Sequence, residues 1–93
     1  MADIDRIKAE IADIGRRPKN ATVAEIEQVI DQLESVGYQV KRRNARHGRL
    51  FSVSSTSGSA RFMVNHHNPG SKQAKSYSVR EFINAMMDLG LYE

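Results

Sequence analysis

The 93-residue chain has no cysteine, no tryptophan and only two prolines. Without thiols there is no disulfide framework, no thiolate metal site and no thiol nucleophile. A reducing compartment suits such a chain, so the expected location is the cytoplasm. Aromatic residues are few, three Phe and three Tyr, so any core is modest and largely aliphatic. No apolar run approaches the roughly 18 residues of a membrane span. Charges spread through the first 15 residues leave no apolar stretch of secretory type there. What remains is 40% apolar and 27% charged, with a mean hydropathy of -0.53. Those values describe an ordinary soluble domain with room for a single core.

The net charge of +3 hides a division. Residues 1–37 carry five Lys/Arg against eight acids, whereas residues 38–93 carry nine against three. Five of those nine cations lie between Lys41 and Arg49. A basic cluster on a small domain attracts phosphates, with nucleic acid the foremost partner and an acidic protein the alternative. A solvated, self-repelling surface loop is the bland reading of the same residues.

Apolar spacing divides the chain. Ile4, Ile7, Ile11 and Ile14 form one helical stripe, with Gly15 as its expected stop. Residues 1–17 thus read as an accessory helix and linker, and residues 18–93 as the main domain. The stripe is narrow, so it docks on the rest of the chain or on a second copy. Thr22 and Glu25 form a capping box ahead of Val23, Ile26, Val29, Ile30, Leu33 and Val36, and Gly37 ends that helix. Three strands follow with a period of two, around Tyr38–Arg42, Arg49–Ser54 and Arg61–Asn65. Ser55 to Ser59 is the turn between the last two, and the serines from Ser52 to Ser59 read as turn chemistry. A loop from His66 to Tyr77 precedes a final helix, with Ser78 and Glu81 as its capping box and Gly90 as its stop. The expected fold is α+β: a three-stranded antiparallel sheet covered on one face by two helices, plus the additional N-terminal helix. The other face is open, with Lys41, Arg43 and Arg61 beside Leu50 and Met63.

Folding the second hairpin brings His47 near His66 and His67. Imidazole titrates near neutrality and moves protons in phosphodiester cleavage without a metal. Three histidines lacking carboxylate or thiolate company make a thin ligand set, so neither metal nor cofactor is expected. A lone loop histidine is also, more blandly, just a solvated side chain.

Several short segments stand in a particular order. Ile26 to Val36 precedes Gly37-Tyr38-Gln39-Val40. Ala45-Arg46-His47 precedes Leu50-Phe51, and Asn65-His66-His67 follows. Lys72, Lys75 and Ser78-Val79-Arg80 come next, closed by Ile83 and Leu89-Gly90-Leu91. From about Pro18 to Leu91 this arrangement resembles the HicA family of bacterial toxin–antitoxin systems. Where the family has Gly-Ser before its histidine, this chain has Ala45-Arg46; where it has Pro before the second, this chain has Asn65. The resemblance implies a fold like the double-stranded-RNA-binding domain. It also implies a metal-independent endoribonuclease that cleaves mRNA and is neutralised by a HicB-type antitoxin. The essential histidine maps onto His47, and the family's second histidine maps onto His67 in an assisting role. Lys41, Arg42, Arg43, Arg46, Arg49, Lys72 and Lys75 are the candidate RNA-binding residues. A non-catalytic RNA-binding module on the same fold is the alternative. The third reading is a protein-interaction domain that self-associates through Ile4, Ile7, Ile11 and Ile14.

Overall fold

The computed structural model describes residues 4–45, 48–56, 58–65 and 72–92. Its elements run α1 (Ile4–Arg16), α2 (Val23–Ser35), β1 (Gln39–Ala45), β2 (Gly48–Ser55), β3 (Gly58–Asn65) and α3 (Ser76–Asp88). The strands form one antiparallel sheet in the order β1-β2-β3. This is the α+β arrangement that the periodicities predict.

Local signals set most helix ends. The Thr22 hydroxyl accepts from the Glu25 N–H at 3.1 Å, and the Glu25 carboxylate accepts from the Thr22 N–H at 2.9 Å. Past α2, Gly37 has φ +110°; its N–H donates to the Glu34 carbonyl, and that of Tyr38 donates to the Leu33 carbonyl. Gly90, at φ +76°, ends α3 in the same way, with Leu91 donating to Met86 and Gly90 to Met87. Both ends are the paired 6→1 and 5→2 bonds that a left-handed glycine permits.

Two sequence expectations fail at helix ends. Gly15 does not stop α1, which continues to Arg16. The Tyr92 ring lies against it, so a Cβ there would stand 3.0 Å from ring atoms. This glycine serves close approach. Ser78 does not cap α3, which begins at Ser76. Its side chain is fully buried, and its Oγ accepts from the Asn65 N–H at 3.0 Å.

The core lies between the sheet and the helices. Phe51, Val53, Phe62 and Val64 are buried beneath Ile26, Ile30, Leu33, Phe82 and Met86. Phe62 stacks on Phe51 and meets Phe82 edge-on, both at 5.5 Å between ring centroids, which joins β2 and β3 to α3. Ile7, Ile11 and Ile14 are 0%, 0% and 2% exposed and belong to this same core. These three residues of the stripe are therefore taken up within the chain, where α1 packs against α2 and α3, while Ile4 at its start is exposed. The helix Ile4–Arg16 is accessory by position and part of the single core by packing. Arg17 fastens the α1–α2 connection, donating to Asp13 at 2.8 Å and to Glu25 at 2.6 Å.

Candidate nucleic-acid interface

The strands are longer than their sequence signals. β1 runs on to Ala45 and β2 starts at Gly48, and these two residues are cross-strand partners. Only two residues, Arg46 and His47, connect them, and both lie outside the described residues. His66 and His67 also lie outside them. At the same end of the sheet, Gly48 pairs with Asn65. The described chain thus stops side by side at the two places next to which His47 and His66 stand in sequence.

Strand alternation sorts the basic cluster. Arg42 pairs with Phe51, and Arg49 pairs with Val64, so both point to the helix side. There they meet the acidic face of α2. Arg42 contacts Asp31 at 2.5 Å and Glu34 at 3.1 Å, and Arg49 contacts Glu27 at 3.1 Å. Burial works against the Arg42 charge, but its bonds to Asp31 and Glu34 outweigh that, and its pKa is raised. Much of the opposition between the acidic and basic halves of the sequence is resolved in these pairs.

On the other face the register builds rows across the sheet. Lys41, Ser52 and Arg61 form one; Arg43, Leu50 and Met63 form the next. Among the described residues, no carboxylate pairs with Lys41, Arg43 or Arg61. All three are exposed, and Leu50, Ser52 and Met63 are half-buried. Lys41, Arg42, Arg43, Leu50, Ser52 and Arg61 line a groove of about 300 Å³. Ser52 is a mid-strand residue and not part of a turn.

Lys72 and Lys75 are not among the residues that line this groove, and Arg46 lies outside the described residues. Lys72 is exposed, and its carbonyl accepts from the Val23 N–H at 2.9 Å. Lys75 immediately precedes α3, with its ammonium 5.7 Å from the centroid of the Tyr77 ring. Sequence reasoning placed Arg61 on the open face but outside the RNA-binding set. The signal that joins it to Lys41 is the hairpin register.

Asn65 ties the histidine end of the sheet to α3. Its N–H donates to Ser78, its carbonyl accepts from the Lys75 N–H at 3.0 Å, and its Nδ2 donates to the Tyr77 hydroxyl at 2.5 Å. A proline at this position lacks the N–H that reaches Ser78. Across the pair, Gly48 leaves room that a side chain removes, because a Cβ would stand 1.9 Å from the Val64 carbonyl oxygen.

The arrangement suits a polyanion on the open face, next to the strand ends that adjoin the histidines. In comparisons with protein-family models, curated proteins and solved structures, the chain matches none.

Proposed function

We propose that the protein is a metal-independent endoribonuclease of HicA type, with a fold of the double-stranded-RNA-binding kind, acting on mRNA in the cytoplasm. The pairing of Gly48 with Asn65 carries this reading, because it sets side by side the strand ends that adjoin His47 and His66-His67 in sequence. In the reaction, a ribose 2′-hydroxyl attacks the adjacent phosphorus and gives its proton to a base. The 5′-oxygen leaves and takes a proton from an acid. The products are a 2′,3′-cyclic phosphate and a 5′-hydroxyl, so no oxidant, reductant or water is consumed. His47 is the acid or base, His67 assists, and the cations offset charge on the phosphorane. A HicB-type antitoxin is the proposed inhibitor.

The test is incubation with a long single-stranded RNA in EDTA beside His47→Ala. Cleavage by the parent and not by the variant is expected. Equal cleavage by both removes His47 from the mechanism. Intact RNA in both lanes, from folded protein that still binds it, replaces the ribonuclease with a binding module. The unpaired cations of the open face also suit that second reading.

A further inference from the structure

We propose that the row Lys41–Ser52–Arg61 is a phosphate seat on the open face of the sheet, through which the protein holds an RNA backbone without reading its bases. This rests on the RNA-directed reading above and names what that ligand presents. Ser52 is the direct cross-strand partner of both Lys41 and Arg61. With strands about 4.8 Å apart, the two cations rise about 10 Å from each other on either side of a short hydroxyl. The small residue leaves a notch whose walls are positive and whose floor is a hydrogen-bond donor. A phosphate fills it and accepts from all three side chains. Arg43, one row nearer the Gly48–Asn65 end, supplies a further contact along the strand.

What the face lacks defines the ligand as firmly. Phe51, Phe62 and Phe82 are buried on the other side, Tyr38 and Tyr92 pack against the core, and Tyr77 belongs to α3. No aromatic residue lies on the open face among the described strand residues. Single-strand binders that use bases stack them on aromatic rings, and this face offers Leu50 and Met63 instead. Charge and one hydroxyl therefore carry the affinity, and phosphate contacts carry no sequence information.

The test uses 2′-O-methyl RNA 12-mers, which lack the 2′-hydroxyl and so separate binding from cleavage. The parent is expected to bind oligo-A and oligo-U within about threefold of each other, with a log–log salt slope of about −1.4 for two neutralised phosphates, one in the notch and one at Arg43. Lys41→Gln with Arg61→Gln is expected to weaken binding roughly tenfold or more and to flatten the slope, with unchanged melting. Ser52→Asp, which puts a carboxylate in the notch, is expected to do at least as much. Lys8→Gln, which removes an exposed cation of α1, is the control and is expected to bind nearly as the parent does. Parent-like binding by the double variant and by Ser52→Asp overturns the seat, even if the parent cleaves RNA through His47. A tenfold preference for one base, or tighter binding of polyglutamate than of RNA, overturns it too. Loss of affinity in those variants, with cleavage that survives His47→Ala, keeps the seat and discards the catalytic assignment.

Discussion

On the helix side of the sheet, Arg42 and Arg49 end on carboxylates of α2; on the open side, Lys41, Arg43 and Arg61 end in solvent. Both groups arise from one basic stretch and its hairpin partner, and neighbours along β1 go to opposite sides. The difference follows from the pleat. A strand that alternates cations with cations delivers half of them to whatever covers it, and α2 meets them with Glu27, Asp31 and Glu34. The other half keeps its charge exposed to solvent. Counting basic residues in the sequence therefore overstates the field available to RNA, and the register says which cations remain.

The comparison breaks most strongly at adjacent residues of β3. Phe62→Ala removes the ring joining Phe51 to Phe82 and is expected to cost about 3–5 kcal/mol in urea unfolding. Met63→Ala, one residue on and facing out, is expected to cost about 1 kcal/mol or less. Equal losses would mean that both faces are covered. Next come the neighbours in β1. Arg42→Gln is expected to lower stability by about 0.5 kcal/mol, as partly exposed ion pairs do, and to leave RNA binding nearly intact. Arg43→Gln is expected to do the reverse, with a several-fold loss of RNA affinity and parental stability. An exchange of these effects would put the ligand on the helix side.

The smallest effect sharpens the helix side through acid. Hydrogen bonds from Arg17 hold Asp13 and Glu25 below their usual carboxylate range against the opposing effect of burial, and for Glu25 the Thr22 N–H and hydroxyl add to this. With folded values below unfolded ones, their contribution is complete above the unfolded pKa and is lost as pH falls through the folded one. Thermal stability is expected to fall below about pH 4, and Arg17→Met is expected to flatten that fall. An unchanged acid limb in Arg17→Met would detach Arg17 from the acid response.

Much of the fold is legible in the sequence wherever the cause is local. Thr22 with Glu25, Gly37 and Gly90 act within a few residues of themselves, and the alternation of Phe51, Val53, Phe62 and Val64 sets the buried face. The misread positions answer to distant partners. Gly15 responds to Tyr92, and Ser78 is taken up by the Asn65 N–H. The strands outrun their signals because Asn44, Ala45 and Gly48 carry no apolar alternation, yet they pair within a connection of two residues. The open-face cations were readable from period two; the capture of Arg42 and Arg49 was not, because it depends on where α2 lies. The histidines stand beyond the described strand ends, so their role rests on sequence and on the pairing next to them.

One further consequence belongs to the rim of the sheet. Among the described residues β1 pairs only with β2, so its outer side offers peptide groups to any extended segment that comes alongside. Such rims invite strand addition and aggregation, and a cationic border discourages them. Lys41 and Arg43 border that rim with unpaired charge, so two copies approaching rim to rim repel each other. The charge proposed to seat a phosphate on the open face thus also opposes a fourth strand, and neutralising it removes both effects together.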